Sequence, residues 1–140
     1  MKILFLCGGN SCRSLMAEAI LQKTDKSLEV FSAGFDPDEQ TDPMAIMVMN
    51  EIKIDIRDKT PKSYLLFEGM EVDYLITIAA GTKDKIPPVN IPYKHKIQLG
   101  FYDPKKTLHI DSKNIDFYRD IRDEIRNELD YFYTQILVRK

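Results

Sequence analysis

Cys7, Arg13 and Ser14 stand together near the start of the chain, in the stretch CGGNSCRS. A thiol, a guanidinium and a hydroxyl at this spacing are the parts of a nucleophile set inside an oxyanion receptor. The sulfur attacks, Arg13 grips two oxygens of a tetrahedral anion with its planar fork, and Ser14 donates a hydrogen bond to the sulfur. Gly8 and Gly9 permit left-handed or close-approach backbone, and Asn10 is the non-glycine residue that tolerates such backbone best. The N–H groups of Gly8, Gly9, Asn10, Ser11, Cys12 and Arg13 can then curl around one centre and face an anion. These dipoles and Arg13 favour the thiolate of Cys7.

A lone cysteine after an apolar strand is more often an inert packing residue. The flanking elements decide against that here. KILFL (Lys2 to Leu6) reads as a short, fully buried strand. From Ser14 onward, Leu15, Met16, Ala19 and Ile20 fall at helical spacing, so the loop runs from a strand into a helix N-terminus. Strand, glycines, Arg-Ser and helix together supply the context such a motif requires. The Gly-Lys ending of a nucleoside-triphosphate loop is absent.

A nucleophile of this kind needs an acid to protonate what leaves. GFYDPKK offers Asp103, in a polar loop after the last expected strand. Asp36-Pro37 and Asp42-Pro43 are the competing Asp-Pro pairs, and Asp42 already reads as a helix cap with proline at the first helical position. Position favours Asp103.

The remaining elements form a framework for that loop. LEVFSAG (Leu28 to Gly34), YLITIAA (Tyr74 to Ala80) and HKIQL (His95 to Leu99) read as further strands. Helical spacing follows Asp42-Pro43, through Ala45, Val48, Met49 and Ile52; Thr60-Pro61 predicts a shorter helix through Leu66 and Phe67. Tyr118, Ile121, Ile125, Leu129, Phe132 and Ile136 mark the apolar stripe of a long final helix. Its charged positions, Arg119, Asp120, Arg122, Asp123, Glu124 and Arg126, read as a solvated face. Alternating strands and helices predict an α/β fold: a single domain over residues 1–140, with a four-stranded parallel sheet and helices on both faces. Ligands in such folds bind at the carboxyl ends of the strands, where Cys7 lies.

Composition bounds the partners. The chain has 140 residues, 44% hydrophobic and 30% charged, with a net charge of −2. That balance is globular and argues against nucleic acid or an anionic membrane held by bulk charge. Two cysteines five apart and two histidines assemble no metal site, and no cofactor is implied. The few cysteines and the short apolar start predict a soluble cytoplasmic protein.

CGGNSCRS followed by LMAEA resembles the active-site loop of the low-molecular-weight phosphotyrosine phosphatase family, and within it the arsenate reductases most. VFSAGF, DPMAIMVMNEIKIDI, GFYDP and FYRDIRDEI extend the likeness, in order, over nearly the whole chain. The resemblance implies Cys7 as nucleophile, Arg13 as oxyanion clamp, Ser14 as thiolate donor, Asn10 as loop-shaping residue and Asp103 as general acid. Arsenate or a phosphomonoester would be the substrate, with an external thiol or thiol-reductase system as partner in the first case.

The chain departs from the family in three places. Thioredoxin-linked relatives carry two further cysteines near the end of the third strand, where this chain reads TIAAGTKDKIPP. The relay is missing, and Cys12 is the internal alternative, otherwise a packing residue capable of a protective disulfide with Cys7. Some relatives bind potassium through residues matching Asn10, Glu18 and Ser32 plus an aspartate; Lys62 stands at that aspartate's position and its ammonium is expected in the cation's place. Finally, Lys105 and Lys106 follow Asp103-Pro104, where phosphatases place aromatics, and Phe35 or Tyr102 would have to wall the pocket. An arsenate reductase-like enzyme is the leading expectation, a phosphatase the second, and a non-catalytic oxyanion-binding module a distant third.

Overall fold

The computed structural model of the protein describes residues 1–78, 88–101 and 115–138. Its four strands are β1 (Lys2–Cys7), β2 (Glu29–Gly34), β3 (Val72–Ile78) and β4 (Tyr93–Leu99). They form one parallel sheet in the order β2-β1-β3-β4. Three α-helices accompany it: α1 (Arg13–Thr24), α2 (Pro43–Glu51) and α3 (Ile115–Phe132).

The apolar run of β1 puts it at the centre. Ile3, Leu4, Phe5 and Leu6 have no exposed surface. Ile3 and Phe5 pack with Met16 and Leu21 of α1, Val48 and Met49 of α2, and Ile121 and Ile125 of α3. Cutting Phe5 back to alanine here costs about 3–5 kcal/mol. Leu4 and Leu6 enter a second cluster with Ala33, Leu75 and Ile91, flanked by Phe31, Phe35, Tyr64 and Phe67. The helical cover is therefore unequal: among the described residues the α-helices serve the first cluster, and a 3-10 turn, Tyr64–Phe67, serves the second. β4 is an edge strand, and its exposed Lys94, His95 and Lys96 blunt that edge.

Several expectations shift. β3 begins at Val72 and β4 at Tyr93, two residues earlier than the sequence pattern suggests. The helix expected from Thr60-Pro61 is the 3-10 turn from Tyr64, with Ser63 Oγ accepting the Leu65 N–H at 3.2 Å. The chain at Lys62 and Ser63 is held extended because Lys62 O accepts the Gly34 N–H at 2.7 Å and Ser63 bridges to Gly34. Ile136 leaves the apolar stripe and is 41% exposed, since the helix widens into a π turn over Tyr133–Leu137. Arg122 is not on a solvated face. It is buried and ties α3 to α2, donating to the Val48 carbonyl at 2.8 Å and to Glu51 Oε1 at 2.7 Å.

Candidate active site

β1 ends at Cys7, which pairs with Gly34, the last residue of β2. The loop from Gly8 to Cys12 then climbs into α1. The carbonyls of Cys7, Gly8, Gly9 and Ser11 accept the N–H groups of Phe35, Asp36, Asp38 and Asp42, at 2.9 to 3.0 Å. The segment after β2 thus holds the loop's carbonyl oxygens on its outer side. In a trans peptide the carbonyl and the following N–H point opposite ways. Turning those four carbonyls outward turns the amides of Gly8, Gly9, Asn10 and Cys12 inward. One of them shows where they converge: the Asn10 N–H donates to Cys7 Sγ at 3.2 Å. Inward amides around a sulfur have the form of a concavity that could receive an anion.

The left-handed residue of this loop is Asn10, with φ 52°, and neither Gly8 nor Gly9 carries positive φ. The glycines act differently. A Cβ on Gly9 would meet the Asp38 carboxylate at 2.3 Å, whereas one on Gly8 would meet nothing within 4 Å. The critical glycine is Gly34, where a Cβ would lie 2.7 Å from the Gly8 carbonyl oxygen and 3.0 Å from the Asn10 nitrogen.

Hydrogen-bond directions around the sulfur follow from donor and acceptor accounting. Asn10 Oδ1 accepts the Lys62 N–H at 2.8 Å, so the other end of the amide is its NH2 group. That NH2 donates to Ser14 Oγ at 2.7 Å and to Ser32 Oγ at 3.0 Å. Ser32 passes its own proton to Glu18 Oε1 at 2.7 Å. Ser14 accepts from Asn10, and its Oγ lies 2.8 Å from Cys7 Sγ, where a thiolate can only accept the Ser14 proton. Cys7, Asn10, Ser14, Ser32 and Glu18 are all buried, so water does not compete for these bonds.

The structure brings Cys7, Asn10, Ser11, Cys12, Arg13 and Ser14 together as one buried group. Arg13 Nη1 donates to the Phe101 carbonyl at 3.2 Å, joining α1 to the segment after β4. Neither Cys7 nor Cys12 is in a disulfide. Asp103 lies outside the described residues, as do Tyr102, Lys105 and Lys106.

Three supports were not read from the sequence. Asp38 accepts the Ser11 hydroxyl at 2.5 Å. Asp42 does more than cap α2 through the Met44 N–H at 2.9 Å, for its other oxygen accepts the Tyr118 hydroxyl at 2.7 Å. Tyr118 thereby reaches the segment that holds the loop.

The third support is Lys59, whose ammonium forms an ion pair with Glu18 Oε2. The cationic partner of Glu18 is therefore Lys59 rather than Lys62. Lys62 contributes its backbone N–H to Asn10 and its ammonium to the Thr60 carbonyl at 3.1 Å. Burial pushes the Lys62 ammonium below its ordinary value; Glu18 opposes that and Lys59 reinforces it. These residues do not fit a potassium ion. Asn10 Oδ1 is engaged by an N–H, Ser32 Oγ by Asn10 and Glu18, and Glu18 by Lys59. Among the described residues no group of three or more His, Cys, Asp or Glu gathers as metal ligands, and no helix is long and apolar enough to cross a membrane.

Known proteins share much of this sequence and fold. The chain is 33% identical over 131 residues to an arsenate reductase of Oceanobacillus iheyensis, covering 93% of each chain. It is 34% identical over 131 residues to an arsenate reductase of Bacillus subtilis, again covering 93% of each. A solved structure, an arsenate reductase in the phosphate binding state, superposes with a TM-score of 0.80 at 26% identity over 96% of this chain and 98% of the other. The family model for low molecular weight phosphotyrosine protein phosphatase matches residues 2–140, and with the loop geometry in place the chain belongs to that family of enzymes.

Proposed function

We propose that this protein reduces arsenate through a covalent intermediate on Cys7 and that an external thiol completes the reaction. The bond from Ser14 to the Cys7 sulfur carries the reading. With Asn10 donating to Ser14 Oγ, the Ser14 proton is available to a thiolate at Cys7, which is the attacking form. The sulfur attacks arsenic(V), an As–O bond breaks, and hydroxide leaves as water with a proton from Asp103. Asp103 follows by two residues Phe101, whose carbonyl accepts from Arg13. Arg13 and the inward amides hold the remaining oxygens as charge redistributes.

A thiolate from outside then attacks the sulfur of Cys7. An S–S bond forms, the S–As bond breaks with its electron pair passing to arsenic, and arsenite departs. A second thiol reduces the mixed disulfide. Two thiols become one disulfide for each arsenic(V) reduced to arsenic(III). The chain has only Cys7 and Cys12 to offer, and Cys12 sits in the same tight loop as Cys7, which strains its route to that sulfur. The external thiol follows from that count.

A phosphatase is the second reading. Phe35 donates its N–H to the Cys7 carbonyl at 3.0 Å, and its ring lies 5.5 Å from that of Tyr64, so aromatic surface flanks the loop. A cysteinyl phosphate there would be released by water alone.

The test follows NADPH oxidation with arsenate, for the wild type and Cys12→Ser, with either a small thiol and its reductase or thioredoxin and its reductase. Repeated turnover with the small thiol, retained in Cys12→Ser, is expected, and thioredoxin alone should support little. Thioredoxin-driven turnover lost in Cys12→Ser would make Cys12 the resolving residue. No arsenate-dependent oxidation, beside brisk aryl phosphate hydrolysis, would promote the phosphatase.

A further inference from the structure

We propose that Lys59 is a positioning residue for Cys7, a tethered cation that keeps Glu18 an ionised acceptor at the end of the chain Glu18, Ser32, Asn10 and Ser14. The inference rests on Cys7 being the nucleophile and adds what supports its thiolate. Glu18 is 6% exposed and belongs to α1, in a helix whose residues from Arg13 to Leu21 are all buried. A carboxylate in that place needs a compensating charge. Lys59, from the segment after α2, supplies it at Oε2. Oε1 is then left to accept from Ser32, which obliges Ser32 to accept from Asn10. Asn10 is held at its far end by the Lys62 N–H and has one N–H left, which goes to Ser14.

The chain therefore has two anchored ends, the carboxylate of Glu18 and the amide of Lys62. Between them the protons run from Asn10 to Ser32 to Glu18, and the second Asn10 N–H fills a lone pair of Ser14, whose own proton can then serve a thiolate at Cys7. Removing the ammonium leaves Glu18 either an unpaired buried anion or a neutral acid that can itself donate. The first places uncompensated negative charge at the end of the chain. The second frees the Ser32 proton and slackens Asn10. Both disfavour an anionic sulfur. The charged groups around Glu18 are Lys59 and, at longer range, Lys62; at the sulfur the loop contributes Arg13.

The experiment measures iodoacetamide alkylation of Cys7 by peptide mass spectrometry from pH 5.5 to 10, with Cys12 as internal reference and melting temperature recorded for each variant. Lys59→Met should slow Cys7 roughly three- to tenfold near neutral pH and converge with the wild type at the alkaline plateau. Lys59→Arg should keep the wild-type profile. Adding Glu18→Gln to Lys59→Met should restore part of the loss, because an amide at that place accepts from Ser32 without needing a cation. Lys59→Met melting lower yet alkylating as the wild type at every pH would reduce Lys59 to a structural ion pair and overturn the proposal. Slowing that persists undiminished at alkaline pH would mean a collapsed loop, and overturn it too. A wild-type Cys7 no faster than Cys12 would fail the nucleophile reading first, and the role of Lys59 with it.

Discussion

Replacing Gly34 with alanine tests how the active-site loop is seated. The new methyl would sit 2.7 Å from the Gly8 carbonyl oxygen and 3.0 Å from both the nitrogen and the Cβ of Asn10. Two of these three atoms are backbone, so no side chain can swing away. Relief requires the loop and the end of β2 to part by roughly half an ångström or more, an overpacking cost of about 1–3 kcal/mol. For a chain of this size that lowers Tm by roughly 3 °C per kcal/mol. The parting also breaks the pattern that turns the loop amides inward, because the Cys7 and Gly8 carbonyls are held by the residues directly after Gly34. Misplacement on the order of 1 Å at reacting atoms is worth about a hundredfold in rate. The assay is urea unfolding beside alkylation of Cys7. Gly8→Ala, whose methyl would enter open space, is the control for stability and should unfold within about 0.5 kcal/mol of the wild type. A Gly34→Ala protein with wild-type stability and wild-type Cys7 reactivity would refute the seating of the loop against β2.

Further outcomes follow from the same contacts. The Arg119 and Arg122 guanidiniums hold the Glu51 carboxyl down to about 2. A depressed folded value contributes stability above the unfolded value of 4.5 and loses it as pH falls toward 2, so the gap between wild type and Glu51→Gln in thermal unfolding should close over that window. A gap independent of pH would remove the ion pair as its cause. Asp103→Asn should slow hydrolysis of aryl phosphates more for poor leaving groups than for good ones, since a phenolate that leaves readily needs no proton. An equal loss across leaving groups would make Asp103 structural and turn attention to Asp36 and Asp42. Because Lys59 already occupies the anionic end of the network, replacing potassium with a large organic cation at constant ionic strength should leave melting temperature unchanged; a marked potassium-dependent gain would contradict it.

The sheet and the loop after β1 were legible because their signals are local. A short apolar run such as Ile3 to Leu6, stopped by glycines, reads as a strand buried on both faces, and Asp42-Pro43 fixes a helix start within a few residues. What was not legible depends on residues distant in sequence. Ser63 displaced Thr60 as a cap because Lys62 is drawn into pairing with Gly34, twenty-eight residues earlier. Arg122 reads as a solvent-facing charge until Glu51 of α2 is seen beside it. Lys59 and Lys62 are equally plausible partners for Glu18 in one dimension, and only the backbone course of residues 59 to 62 decides which ammonium arrives. Asn10 was recognised as the residue suited to left-handed backbone, but its two-ended hold on Ser14 and Ser32 needed α1 and β2 in place.

The central claim is that Cys7 is a nucleophile at the focus of an oxyanion cradle. The direct measurement is the alkylation rate of Cys7 against that of Cys12 near neutral pH, resolved by peptide mass spectrometry, with and without arsenate or phosphate. Neither thiol is in a disulfide and both are almost equally buried, at 2% and 3% exposure, so accessibility alone predicts similar rates. The hydrogen bonds from Ser14 and Asn10 predict that Cys7 reacts much faster and that either oxyanion protects it while leaving Cys12 unchanged. Equal rates, with no protection by arsenate or phosphate, would contradict the account.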